Sequence, residues 1–286
     1  MNQACLRFAP SPNGQLHLGH AYSALLNEHM ANRLAAKLLL RLEDIDTTRC
    51  TPALQQQMLE DLEWLGIRWH EAPQKQSEHF PRYQQALAQL EAKGLLYRAY
   101  LTRSQIKTYI SQQQDWPRDP DGAPLYPGSA FGEREAKDTR NAPYALRLNM
   151  QAALSTLQNQ GIDWQELTAP DAKEAERIKA NPAAWGDIIL ARKDTPTSYH
   201  LSVVVDDAAQ GISHVVRGQD LYHATSVHRL LQQLLGLPAP LYHHHKLLTD
   251  DSGDKLAKSA SSISLRTLRE QGTTPADIRR KLGFAH

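Results

Sequence analysis

The sequence predicts an α/β fold: an open parallel sheet with covering helices, interrupted by an insertion. Three observations lead there. A short apolar run, a helical stretch and a second apolar run follow one another at the N-terminus, the β-α-β unit that opens a parallel sheet. Alternating strand-like and helix-like runs return beyond residue 186. Between them, Tyr97 to Arg140 is rich in Gln, Pro, Asp and Gly, with D-W-P-R-D-P-D-G-A-P in its middle. That is the composition of a long loop or inserted subdomain, not of a sheet core. The chain therefore divides into a first half of the main domain at 1–96, an insertion at 97–185, a second half at 186–240, and a loop with a small helical part at 241–286.

Cys5 to Ala9 reads as the first strand. Pro10 and Pro12 stop it, because proline lacks the N–H a ladder needs, and Asn13-Gly14 is a turn signal. His17-Leu18-Gly19-His20 leads into a helix, with Leu26, Met30, Leu34 and Leu38 recurring at four-residue spacing. Two imidazoles thus sit at a helix N-terminus just after a strand, where free N–H groups and the helix dipole favour phosphate. Gly19 leaves room for a flat group against the backbone. H-x-G-H alone is short and recurs by chance; its weight comes from the run before it and a lysine motif downstream.

Lys37 to Leu42 is the second strand, and Glu43-Asp44-Ile45-Asp46 follows at its carboxyl end, where open α/β sheets bind ligands. A carboxylate there suits an ammonium group or a ribose. Pro52 to Leu65 reads as a helix ended by Gly66, and Arg82 to Lys93 as another ended by Gly94. Thr102 and Gln105 form a capping box. Tyr144 to Asn149 and Asp187 to Ala191 read as strands, whereas periodicity leaves Tyr199 to Asp207 open between buried strand and helix. Ile212 to Arg217 is β-rich, Asp220 to Leu235 helical, and Thr274-Pro275 starts a last helix. Arg279, Arg280 and Lys281 form a basic patch that suits either a solvated helix end or RNA. Lys255-Leu256-Ala257-Lys258-Ser259, after a glycine-containing loop, offers mobile point charges for phosphates. His243-His244-His245 does not read as a metal site, because adjacent strand residues face opposite ways.

The chain has 286 residues, 41% hydrophobic, enough for one large domain or two modest ones. A net charge of +1 excludes a global basic field, so RNA contact would rest on local patches. Cys5 and Cys50 do not suggest a disulfide framework, although one bridge stays open. No signal-peptide pattern and no apolar run of membrane-spanning length is seen, and a cytoplasmic location is expected.

R-F-A-P-S-P-N-G-Q-L-H-L-G-H (Arg7–His20), R-L-E-D-I-D (Arg41–Asp46), V-V-V-D-D (Val203–Asp207), H-V-V-R-G-Q-D-L (His214–Leu221) and K-L-A-K-S (Lys255–Ser259) stand in the order found in glutamyl-tRNA synthetases. These are class I aminoacyl-tRNA synthetases with HIGH and KMSKS signatures, and the chain resembles them over nearly its whole length. Little sequence follows Ser259, which leaves no room for their large helical anticodon-binding domain. In this the chain is similar to the short paralogous family, the glutamyl-Q tRNA(Asp) synthetases. The resemblance implies a Rossmann-like parallel-sheet catalytic domain with an inserted α/β subdomain and a small C-terminal helical part. It implies activation of L-glutamate by ATP with Mg2+, without tRNA, and transfer of glutamate to the queuosine base in the anticodon of tRNA(Asp). A monomer is expected.

Residue by residue, the resemblance places Arg7 on the substrate side-chain carboxylate, with Phe8, Ala9, Pro10 and Ser11 in the same glutamate-binding stretch. It places Glu43 on the α-ammonium, and Tyr199 and Arg217 on the remaining glutamate contacts. His17 and His20 take the ATP phosphates, and Lys255 and Lys258 belong to the KMSKS loop, Lys258 facing the departing pyrophosphate. Leu256 and Ala257 replace the usual Met and Ser. The positions that bind zinc in many members match Arg98, Tyr100, Tyr126 and Ala130, without a thiolate, so no zinc is expected. The rival readings are a truncated glutamyl-tRNA synthetase acting on a tRNA 3′ end, a non-catalytic RNA-binding relic, and a small-molecule nucleotidyltransferase.

Overall fold

A computed structural model describes residues 3–128, 142–158, 160–248 and 263–284. Strand β1 (Cys5–Phe8) pairs in parallel with β2 (Lys37–Leu42), and helix α1 (Leu18–Arg33) connects them. Both strands are buried almost throughout, as expected of a parallel sheet covered on both faces. The four-residue spacing along α1 does not continue as one face. Leu26 and Met30 are buried, but Leu34 is the C-cap and 43% exposed, and Leu38 already lies in β2. The chain turns out of the helix through Ala35, whose φ of +48° is left-handed.

Helix α2 (Pro52–Trp64) starts with Thr51 accepting from the Leu54 amide and Pro52 at the first helical position. Short β3 (Gln74–Lys75) and helix α3 (Phe80–Ala92) follow. Then comes a small antiparallel sheet of β4 (Leu96–Ala99), β5 (Ala145–Leu148) and β8 (Ile189–Arg192), in the order β4-β5-β8. Helix α4 (Arg103–Ser111) carries the expected Thr102–Gln105 capping box, and α5 (Met150–Ser155) follows β5. The Asp187–Ala191 run thus belongs to this smaller sheet, and the main sheet resumes later, at β9 (His214–Gly218).

The main sheet has the order β3-β2-β1-β9-β10-β6-β7, where β6 is Asp163–Glu166, β7 Glu176–Lys179 and β10 Leu241–His245. All neighbours are parallel except β6 and β7. Strands β6 and β7 were not legible in the sequence: D-W-Q-E and E-R-I-K are short and polar, and β7 forms the edge of the sheet. They lie within the range read as inserted, yet they extend the main sheet.

Tyr199 to Ala209 is a helix, α6, capped by Ser198. Every residue from Leu201 to Asp207 is buried, so no polar face reveals the period. Helix α7 (Thr225–Leu235) starts later than Asp220, because residues 219–221 form a separate single turn. Gly236 ends it at a φ of +67°. Helices α8 (Leu265–Glu270) and α9 (Pro275–Lys281) form the small C-terminal part. Arg279 is engaged within the chain, where it pairs with Glu28 of α1 and donates to the Leu65 carbonyl, while Arg280 pairs with Asp277.

At the positions that match zinc ligands in relatives, Arg98 lies over the Tyr144 ring, Tyr100 meets the same ring edge-on, and Arg147 lies 3.5 Å above Tyr126. A guanidinium and two phenols engaged with aromatic and cationic neighbours do not fit a structural zinc ion, which takes thiolates and imidazoles. Ala130 lies outside the described residues.

Candidate active site

The sheet order reverses between β1 and β9, a switch point at which loops diverge and leave a crevice beyond the carboxyl ends of the strands. A cavity of about 290 Å³ opens there. Its wall includes Arg7, Phe8, Ala9, Pro10, Ser11, His17, His20, Glu43, Tyr199 and Arg217, so every described residue nominated from the sequence reaches one cavity. Lys255 and Lys258 lie outside the described residues. Of the acidic tip after β2, Glu43 reaches this cavity. Asp44 is buried and accepts from the Ser77 amide and hydroxyl and from Gln55, a structural role. The Asp46 carboxyl pKa is held down to about 2 by hydrogen bonds from Thr48 and Arg49.

His17 is the N-cap of α1. Its Nδ1 accepts from the Gly19 amide at 3.0 Å, and its own amide donates to Nδ1 of His20 at 3.2 Å. Each imidazole therefore keeps its proton on Nε2. Burial lowers both pKa values, that of His20 to about 4 with help from His17, so both rings are neutral near pH 7. The helix thus presents two fixed Nε2–H donors beside the cavity, a fit to phosphate oxygens. Gly19 serves differently from the expectation. The flat group against it is the imidazole of His17 itself, whose Cε1 would stand 2.9 Å from a Cβ at residue 19. A side chain there would push His17 off its cap.

Two arginines frame the amino-acid side of the cavity. Arg7 donates from Nε to Asp207 Oδ1 at 2.9 Å, and its side chain makes no other hydrogen bond among the described residues. Asp207 also pairs with Arg41 at 2.9 Å, and Arg41 stands 3.6 Å from Glu43. Burial raises the Asp207 carboxyl pKa, but the two guanidiniums outweigh it and hold the value low. For Glu43 burial prevails over Arg41 and Arg7, and the pKa is raised. A ligand ammonium would complete its surroundings.

Arg217 is engaged on all sides. Nε donates to His244 Nε2 at 3.0 Å, and one terminal nitrogen meets His228 Nδ1 at 3.1 Å and the Tyr199 hydroxyl at 3.4 Å. The other donates to Thr225 Oγ1 and the Leu221 carbonyl at 2.8 and 3.2 Å. None of these partners is a carboxylate. A direct bond from Arg217 to a substrate would displace one of them, and the longest is the one to Tyr199, which lines the cavity. Asp207, Arg41, His228, His244 and Thr225 escaped sequence reasoning. Two acids ending an apolar run, V-V-V-D-D, were the one legible signal, since a buried carboxylate requires a partner.

A second cavity of about 530 Å³ adjoins the first and shares Ser11, Glu43 and Tyr199 with it. Its far wall comes from the smaller sheet and its loops, including Tyr126, Arg147, Asp187 and Arg192.

Residues 3–284 match the family model described as tRNA synthetases class I (E and Q), catalytic domain. The chain belongs to this family. It is 45% identical to the glutamyl-Q tRNA(Asp) synthetase of Rhodobacter capsulatus, over 97% of this chain and 99% of that one. It is 36% identical to the protein of the same name from Symbiobacterium thermophilum, over 96% of this chain and 84% of that one. The fold matches the crystal structure of a glutamate-tRNA synthetase from Elizabethkingia anophelis with a TM-score of 0.68 at 23% identity. The alignment covers 95% of this chain but 54% of that synthetase, so the chain spans about half the length of its solved neighbour. A class I synthetase domain is an ATP-using domain. No helix among the described residues is long and apolar enough to cross a membrane.

Proposed function

We propose that this chain is a glutamyl-Q tRNA(Asp) synthetase: it activates L-glutamate with ATP, without tRNA, and transfers the glutamyl group to the queuosine base in the anticodon of tRNA(Asp). The observation that carries this reading is the gathering of Arg7, Arg217, Tyr199, Glu43, His17 and His20 around one cavity. Arg7 takes the side-chain carboxylate of glutamate as a guanidinium fork, and Arg217 supports the same end through Tyr199. Glu43 takes the α-ammonium. That leaves the α-carboxylate directed at the phosphate side, where His17 and His20 hold the triphosphate by their Nε2–H donors.

The α-carboxylate oxygen then attacks the α-phosphorus, and pyrophosphate leaves. The protein supplies position and aimed dipoles, not a covalent nucleophile. Lys258, with Lys255, neutralises the departing charge. Mg2+ enters as counter-ion of the ATP phosphates; no carboxylate and histidine cluster of metal-ligating geometry occurs among the described residues. In the second step an acceptor hydroxyl attacks the glutamyl carbonyl and AMP leaves. The adjoining larger cavity, which meets the first at Ser11, Glu43 and Tyr199, supports an acceptor entering from the side of the smaller sheet. Cytoplasmic location and a monomeric state complete the reading.

The deciding test measures glutamate-dependent ATP–pyrophosphate exchange without tRNA, then glutamate transfer to tRNA(Asp) with and without queuosine, and to tRNA(Glu). Exchange without tRNA and transfer only to the queuosine-containing tRNA(Asp) are expected. Charging of tRNA(Glu) would establish the truncated glutamyl-tRNA synthetase instead.

A further inference from the structure

Arg217 is a buried cation whose hydrogen-bond partners are neutral, and one carboxylate acts on it at one remove. His244 Nε2 accepts from Arg217 Nε at 3.0 Å, which requires that nitrogen to be bare. Nδ1 of the same ring lies 3.0 and 2.9 Å from the two oxygens of Glu166, so it carries the proton and donates it there. Glu166 is 8% exposed and sits on β6, between β10 and the edge strand β7, remote from every motif of the sequence. Its Oε1 also accepts from the His244 amide at 2.8 Å, and its Oε2 from Trp164 Nε1 at 2.9 Å. On the opposite side His228 repeats the arrangement: Nδ1 faces Arg217, while Nε2 lies 3.2 Å from His200 Nδ1.

We propose that Glu166 is a positioning residue for glutamate recognition, holding His244 in the one tautomer that lets Arg217 keep its place against Tyr199. The proposal rests on the assignment of Arg217 and Tyr199 to the glutamate side of the cavity. The physics is a count of donors and acceptors. Three N–H groups converge on the carboxylate, and a carboxylate has only acceptors to offer. A glutamine of the same shape has one acceptor oxygen and one NH2. Whichever way the amide turns, its NH2 faces the His244 amide or the Trp164 indole, donor against donor. The strain is relieved when the side chain shifts, and His244 then loses what holds its proton on Nδ1. With the proton on Nε2, the ring opposes Arg217 Nε donor to donor. The guanidinium moves, and the 3.4 Å bond to Tyr199 is the first to break.

ATP–pyrophosphate exchange on the full chain tests this with five variants. Glu166→Gln is expected to raise KM for glutamate about tenfold and to leave kcat and KM for ATP within about twofold. That split separates positioning from a merely structural role, because a loosened fold would impair both substrates. His244→Gln can accept from Arg217 and donate to Glu166 and is expected to retain most of the affinity, whereas His244→Leu is expected to match Glu166→Gln. Where Glu166→Gln folds poorly, Glu166→Asp keeps the charge and should give an intermediate KM. Arg217→Lys is the reference. If it raises KM for glutamate and Glu166→Gln does not, or if the constants for both substrates move together, Glu166 has no positioning role. If Arg217→Lys itself leaves that KM unchanged, the assignment of Arg217 is wrong and the proposal falls with it.

Discussion

Arg7 and Arg217 reach the same cavity from adjacent strands, β1 and β9, but they are held in opposite ways. Arg7 belongs to an ion cluster: Asp207 is shared between Arg7 and Arg41, and Glu43 stands at its rim. Arg217 sits in a cradle of imidazoles, hydroxyls and a carbonyl, its formal charge uncompensated by any direct carboxylate. The difference separates two roles. An ion cluster fixes a charge strongly and leaves the unused nitrogens of Arg7 available to a ligand anion. A neutral cradle orients a cation without cancelling its field, so its attraction for a carboxylate persists in the low dielectric of the cavity.

Removing the shared carboxylate should have the largest effect. Asp207→Asn takes from the buried Arg7 its carboxylate partner and leaves the buried Arg41 with Glu43 at 3.6 Å, and is expected to lower unfolding free energy by about 3–5 kcal/mol, read from denaturant melts. Arg217 carries no such liability. An equal loss on changing His244 to Gln would abolish the distinction between cluster and cradle.

Acid should dissect the two regions in sequence. Burial depresses His200 and His244 to about 4, from the ordinary 6.5, and holds His228 well below 6.5. Unfolding lets these rings protonate, so the stability they contribute is complete above 6.5 and is lost as pH falls from there towards 4. Asp207 is depressed below its ordinary 3.8, so its ion pairs contribute fully above that value and lose their stability only below it. Equilibrium unfolding followed against pH should show a first decline of a few kcal/mol between pH 6.5 and 4. The second decline lies below pH 3.8. A stability flat between pH 7 and 4.5 would contradict the neutral cradle.

The remaining effects concern activity. His20→Asn removes an Nε2–H donor and should lower kcat for pyrophosphate exchange about 100-fold with glutamate KM little changed. Arg217→Lys, which removes the fork, should instead raise glutamate KM about tenfold. Thr225→Val removes a single acceptor from the cradle and should raise that KM only about threefold. A variant at His20 that acted mainly on glutamate KM would merge the two sides that the geometry keeps apart.

Short-range signals made much of this legible. Thr102 with Gln105, and Thr274-Pro275, act as the caps they were read to be because a cap is complete within a few residues. The residues from Arg7 to Ser11, His17 and His20 share one cavity because they lie on one strand–turn–helix. Long-range features were not legible. α6 is buried on all sides and shows no period, β6 and β7 are too polar and short to stand out, and β8 pairs with β5, not with the main sheet.

By itself the sequence determined the parallel α/β class, the β-α-β opening, the residue types offered to an amino acid and a triphosphate, and the family. These follow from hydrophobic pattern, local capping and ordered motifs, all properties of neighbours along the chain. Only the tertiary structure decided that Asp207 neutralises Arg7 across 200 positions, that Glu166 reaches Arg217 through His244, and that the third histidine-rich strand residue, His245, takes neither role. The reason is physical: a buried charge is defined by which groups exclude water from it and which remain within hydrogen-bond distance, and strand order, not sequence distance, sets both.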